Sequence, residues 1–238
     1  MKHIILFDLD GTLTDPMEGI TKSVQYALKA YGIIEEDLAK LCPFIGPPLT
    51  ESFKEFYGFS DKEAREAISI FHEYFVKKGI YENQAYDGIK QMLKELKQAG
   101  FVLAVATSKP ELFAEQILEY FDLRSYFELV GGSDMDEKIR VKKGDVIHYT
   151  LERLGCREIV DGKENGKRWY WKQHDKEELC SIMMVGDRKH DVIGAKEAGI
   201  PCIGVLYGYG NKKELEEAGA VKVVESVEEL KEVLLPLQ

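Results

Sequence analysis

The chain has 238 residues, enough for one domain of ordinary size with a smaller module inserted into it or appended to it. Hydrophobic residues make up 45% and charged residues 31%, with no low-complexity tract and no apolar run near the length of a membrane span, which argues against long disorder and against a membrane partner. A formal net charge of −10, with Lys and Arg dispersed among acids, disfavours a nucleic-acid polymer as ligand.

The first predicted element is a strand from His3 to Phe7, apolar at nearly every position as in a strand buried on both faces. Asp8 follows too soon for the leader to be a signal peptide, so a cytoplasmic protein is expected. Residues 16–84 then read as helices only. Asp15-Pro16 supplies an N-cap and a first-turn proline, Ile20, Val24, Ala27, Leu28 and Tyr31 mark one face, and Gly32 stops the helix. A second strong helix opens with a Ser60 and Glu63 capping box, repeats Ala64, Ala67, Ile68, Phe71 and Phe75, and stops at Gly79. The aromatics of this stretch are read as core packing. Gly46-Pro47-Pro48 reads equally well as a stiff loop reaching a ligand and as a plain helix connector.

From about residue 85 short apolar runs alternate with helical patterns. Strands are predicted at Phe101 to Ala106, Phe127 to Val130, Ile182 to Val185, Cys202 to Leu206 and Val221 to Val224. Helices with Ile89, Leu93 and Leu96, and with Val146, Ile147, Thr150, Leu151 and Leu154, stop at Gly100 and Gly155, and a Ser226 and Glu229 capping box opens the last one. The fold class is therefore α/β: a Rossmann-like, largely parallel sheet built from 1–15 and 85–238, with an all-helical cap, 16–84, inserted over its active edge. Between Gly155 and Ser181, Asp161-Gly162 and Asn165-Gly166 beside Trp169-Tyr-Trp171 predict a β-hairpin over about 156–180. Its aromatics either pack back on the same domain or form a dimer contact, leaving monomer or homodimer open.

Ligands of a parallel sheet bind beyond the carboxyl ends of its strands, and the chemically useful residues fall there. Asp8 and Asp10 follow the first strand, Thr107 and Ser108 the second, Asp187 and Asp191 the strand ending at Val185, and Lys143 starts a helix near the same edge. Four carboxylates together repel one another unless a cation neutralises them. Cys42, Cys156, Cys180 and Cys202 form no C-x-x-C pair and the five histidines have no metal-ligand spacing, so a hard ion held by oxygen is implied. Mg²⁺ suits this set, with Thr107, Ser108 and Lys143 left to balance a phosphoryl group.

Taken in order, Asp8-Leu-Asp-Gly-Thr-Leu-Thr-Asp15, Ala106-Thr-Ser-Lys109, Lys143-Gly-Asp-Val-Ile147 and Gly186-Asp-Arg-Lys-His-Asp191 resemble the four motifs of the haloacid dehalogenase superfamily. The resemblance implies an Mg²⁺-dependent phosphatase for a small phosphorylated metabolite, working through an aspartyl-phosphate. Asp8 would be the nucleophile and Asp10 the general acid and then base, with Lys143 completing the catalytic set. Thr107, Ser108, Gly11 and Lys143 would bind the phosphoryl group. Asp8, Asp10 through its backbone carbonyl, Asp187 and Asp191 would form the metal set, Asp191 either meeting a metal-bound water or orienting Lys143. Asp10 argues against a dehalogenase, which lacks that aspartate. Phe44-Ile-Gly-Pro-Pro-Leu49 and Gly204-Val-Leu-Tyr-Gly-Tyr-Gly210 look most like the phosphoglycolate phosphatase-like branch, some of whose members are 5′-nucleotidases. The alternatives are a sugar-phosphate mutase and a non-catalytic phosphate-sensing module.

Overall fold

The computed structural model describes residues 1–135, 138–161, 166–173 and 176–237. Strand β1 (Lys2–Phe7) and a two-residue strand β2 (Thr14–Asp15) precede helices α1 (Met17–Ala30), α2 (Leu49–Tyr57) and α3 (Asp61–Tyr74). A 3₁₀ segment, Leu38–Phe44, lies between α1 and α2, and α3 runs on into one π turn, Phe75–Gly79. Next come β3 (Gln84–Ala85), α4 (Ile89–Gln98), β4 (Val102–Pro110), α5 (Glu111–Tyr120), β5 (Leu129–Ser133) and α6 (Lys143–Arg153). Three strands follow, β6 (Cys156–Asp161), β7 (Gly166–Gln173) and β8 (Lys176–Gly186). The chain closes with α7 (Lys189–Glu197), β9 (Cys202–Val205), α8 (Lys212–Ala218), β10 (Lys222–Val224) and α9 (Val227–Leu234).

Six strands pair in parallel in the order β10-β9-β8-β1-β4-β5. β1 lies between β4 and β8, and its residues divide between two cores: Ile5 and Phe7 join the cluster on one face, Ile4 and Leu6 that on the other. Burial on both faces is why this run is apolar without alternation. The first cluster continues through Val24, Phe44, Phe53, Phe71 and Phe75, so the helices of 17–75 and one face of the sheet share a continuous apolar interior. Phe75 packs edge-on against Phe113 of α5, with ring centroids 5.3 Å apart.

Local signals differ from expectation at three places. Asp15 Oδ1 accepts the Met17 N–H at 3.0 Å, but Pro16 and not the expected Asp15 occupies the cap position, so the aspartate acts one residue upstream of the cap. At α9 the Ser226 hydroxyl accepts the Glu229 N–H, but the Glu229 carboxylate takes its return bond from Glu225, leaving the box half formed. The box at Ser60 and Glu63 is complete. β2 and β3 pair antiparallel where the two crossings between sheet and helices meet, a ribbon too short for a periodicity signal.

β6 pairs antiparallel with β7 from Cys156↔Trp171 to Asp161↔Gly166, and β7 pairs with the start of β8. Gly162 and Asn165, the other turn signals of the expected hairpin, lie outside the described residues. Trp169 and Trp171, two apart on β7, face the same side of it. Trp169 is buried and donates its indole N–H to the Ala198 carbonyl at 2.9 Å, and Trp171 donates to the Leu154 carbonyl at 2.9 Å.

Candidate active site

The registers Phe7↔Val105 and Phe7↔Val185 bring Asp8 after β1 and Asp187 after β8 beside Thr107, which lies within β4 and not beyond its end as expected, because that strand runs on to Pro110. The Asp8 N–H still donates to the Val185 carbonyl at 2.9 Å. The chain then folds tightly back on itself, with the Leu9 carbonyl accepting from the N–H groups of Thr12, Leu13 and Thr14. Gly11 makes that turn at φ +80°, and a Cβ there would run into the Asp187 carboxylate, so the close approach of the two motifs depends on glycine.

Lys143, the first residue of α6, lies at the centre. Its Nζ donates to the Ala106 carbonyl at 3.0 Å and stands 2.7 Å from Asp8 Oδ1 and 2.8 Å from Asp191 Oδ1. Both ion pairs are short and buried, so the ammonium holds one oxygen of each carboxylate. Asp191 Oδ2 accepts the Arg188 N–H at 3.0 Å. Asp187 accepts the Tyr209 N–H at 2.8 Å and a long 3.5 Å bond from the Thr12 hydroxyl. Thr107 is buried and Ser108 half-buried beside them.

Burial pushes Asp187 well above the usual carboxylate range, reinforced by Asp191 and Asp8. Burial also raises Asp191, to about 6, against the pull of Lys143. For Lys143 burial works against the charge, but Asp191 and Asp8 outweigh it and hold the ammonium above its ordinary value. Asp10 is raised by burial too, with Lys109 acting in the opposite direction.

Asp8, Asp187 and Asp191 offer oxygens within 4.8 Å of one another, all buried. A set made only of buried carboxylate oxygens, in which burial and then the neighbouring carboxylates raise Asp187 and burial raises Asp191, fits a hard divalent cation. The Asp10 side chain is not in this cluster; its Oδ2 pairs with Lys109 Nζ at 2.8 Å. Lys109 stands in the second motif, and no local signal in the sequence points to its ion pair with Asp10. The same holds for Arg188, which donates to the Ile45 carbonyl at 2.8 Å and to Glu214 at 3.0 Å.

A cavity of about 50 Å³ lies over Asp10 and Lys109, walled by Gly46, Pro47, Phe71 and Phe75 from the helical segment. A second, of about 170 Å³, opens on the other side of Ser108 along Lys142, Lys143 and His190. A hollow of about 620 Å³ on the outer side of α1, lined by Lys22, Tyr26 and Ile34, holds none of the motif residues. Among the described residues no helix is long and apolar enough to cross a membrane.

The family model for haloacid dehalogenase-like hydrolases matches residues 5–205. A 5′-nucleotidase of Pseudomonas aeruginosa is 44% identical over 89% of this chain and 86% of its own length. The tyrosine-protein kinase PtkA of Mycobacterium tuberculosis is 34% identical over 98% of this chain and 72% of its own. A phosphoglycolate phosphatase of Vibrio parahaemolyticus is 28% identical over 97% and 95%. In three dimensions the chain superposes on the crystal structure of a predicted phosphatase from Clostridium acetobutylicum with a TM-score of 0.87, at 46% identity over 99% of each chain. With the motif residues gathered at one sheet edge and these relatives alongside, the chain belongs to the haloacid dehalogenase-like hydrolases, as a phosphatase of that family.

Proposed function

We propose that the protein is an Mg²⁺-dependent phosphatase of small phosphomonoesters, 5′-nucleotidase-like or phosphoglycolate phosphatase-like, acting in the cytoplasm through an aspartyl-phosphate on Asp8. The observation that carries this is the Lys143 ammonium held between Asp8 and Asp191, beside the buried carboxylate of Asp187. Residues 1–15 and 85–238 form the catalytic domain in this reading and 16–84 its cap.

Asp8, Asp187 and Asp191 would hold the ion, with the Asp10 backbone carbonyl as a further ligand. Bound there, Mg²⁺ would neutralise the clustered carboxylates and the charge on the phosphoryl oxygens. An Asp8 carboxylate oxygen attacks phosphorus as the ester P–O bond breaks, and Asp10 gives its proton to the departing alkoxide. Asp10 then takes a proton from water, whose oxygen attacks phosphorus, releasing inorganic phosphate and restoring the Asp8 carboxylate. Lys143, Thr107 and Ser108 bind the phosphoryl oxygens through both steps, and the Gly11 turn keeps Asp8 and Asp187 close.

Incubation with p-nitrophenyl phosphate and Mg²⁺, alongside phosphoglycolate, nucleoside monophosphates and sugar phosphates, tests the reading. Mg²⁺-dependent release of inorganic phosphate is expected. Transfer of the phosphoryl group to a sugar or tyrosine hydroxyl without phosphate release would contradict it.

A further inference from the structure

Arg188 lies between two residues of the proposed site, Asp187 and Asp191, yet its side chain turns away from them. Nη1 donates to the Ile45 carbonyl at 2.8 Å, 143 positions away in sequence, and Nε donates to Glu214 Oε1 at 3.0 Å. The same Glu214 oxygen accepts the Lys189 N–H at 2.9 Å. Both side chains of the ion pair are largely shielded, 15% and 16% exposed, so the pair is less screened by solvent than one on an open surface.

Ile45 leads directly into Gly46-Pro47-Pro48, which form part of the wall over Asp10 and Lys109. Gly46 has φ +102°, and a Cβ built on it would lie 3.0 Å from Arg188 Cγ, so the loop backbone rests on the arginine stem itself. The two prolines stiffen the segment that follows. The carbonyl bond at its start thus ties this part of the wall to the arginine. Glu214, in the first turn of α8, keeps the guanidinium aimed at it.

We infer that Arg188, oriented by Glu214, is a positioning residue that latches the Ile45–Pro48 loop over the catalytic carboxylates, so that closure of the cavity on the leaving group depends on this pair. The inference rests on the phosphatase reading of the site, because only there does the loop wall a leaving-group cavity. The metal would be held on one side of Arg188 by Asp187 and the cap loop on the other by its side chain. Motif and cap thus share one short stretch of chain.

The test uses the intact protein with Arg188→Gln, Glu214→Ala and the double variant. KM for p-nitrophenyl phosphate should rise in both single variants, on the order of 10-fold, as expected when a wall of the site is displaced. The half-saturating Mg²⁺ concentration of Glu214→Ala should stay at the parental value. Amide hydrogen exchange over 41–53 should accelerate in both, and the double variant should be no worse than Arg188→Gln, since the two residues act as one unit. Unchanged KM and unchanged exchange would overturn the inference. So would faster exchange or a lower Tm without a change in KM, which would reduce Arg188 to a structural tie. If the parent releases no phosphate from any ester, the phosphatase reading fails; the exchange data still decide whether the pair holds the loop. Should Arg188→Gln fail to fold, Glu214→Ala carries both measurements alone.

Discussion

The Lys109 ammonium lies 2.8 Å from Asp10 Oδ2, with the two side chains 7% and 9% exposed, and the same Nζ sits 4.7 Å from the centre of the Phe75 ring. The proposed acid and base is thus paired to a cation that also touches the helical segment. Burial raises the pKa of Asp10 and Lys109 lowers it, so removing the cation pushes Asp10 further towards its neutral form. In Lys109→Met the step that needs Asp10 as a base should suffer more than the step that needs it as an acid. The ascending limb of the kcat profile should move to higher pH, with activity at pH 7 partly recovered in alkaline buffer. A profile superimposable on the parent's would show that Lys109 does not act through Asp10.

Asp187→Asn should raise the Mg²⁺ concentration for half-maximal rate by at least about 10-fold, the scale seen when support of a metal site is lost. Lys143→Ala should chiefly lower kcat at saturating Mg²⁺, and Ca²⁺ should not restore activity to chelator-treated enzyme because its looser coordination misplaces the in-line geometry. A metal titration of parent and both variants checks this. Full turnover in excess chelator would refute the metal's role.

Trp169 ties β7 to the body of the domain through its buried ring and its bond to the Ala198 carbonyl. Trp169→Ala should cost about 3–5 kcal/mol of stability, the usual loss for a buried aromatic, with kcat on p-nitrophenyl phosphate at 25 °C little changed. Urea melts alongside the assay would settle both halves. For the same reason the segment 156–180 is not expected to be removable without loss of stability, although it lies outside the four motifs.

The site was legible where chemistry and local pattern coincide. Asp8, Thr107 and Asp187 each close an apolar run, and the parallel register brings the ends of those runs level. What escaped depends on contacts between segments far apart in the chain. Nothing near Arg188 marks Ile45 as its partner, because the bond exists only once the helices dock on the sheet. Lys109 could be read as a motif residue, but its target, Asp10, lies 99 positions away and is met only once β1 and β4 pair. The hydroxyl of Tyr209 bonds to Asp15 by the same kind of long-range closure. Alternation on β7 puts Trp169 and Trp171 on one face, yet does not say whether that face meets its own domain or a second subunit.

The proposed double role of Asp10 divides the reaction into separable halves, and one rapid-mixing experiment addresses both. With p-nitrophenyl phosphate the phenolate leaves without a proton, so phosphorylation of Asp8 should survive Asp10→Asn. Hydrolysis of the phosphoenzyme should slow by roughly 10²- to 10⁴-fold for want of a base. A burst of p-nitrophenolate approaching one equivalent per active site, with phosphate recovered on Asp8, is the expected result, and Asp8→Asn should show neither burst nor turnover. A folded Asp10→Asn protein that hydrolyses alkyl phosphates at the parental rate, or turnover surviving in Asp8→Asn, would contradict the account.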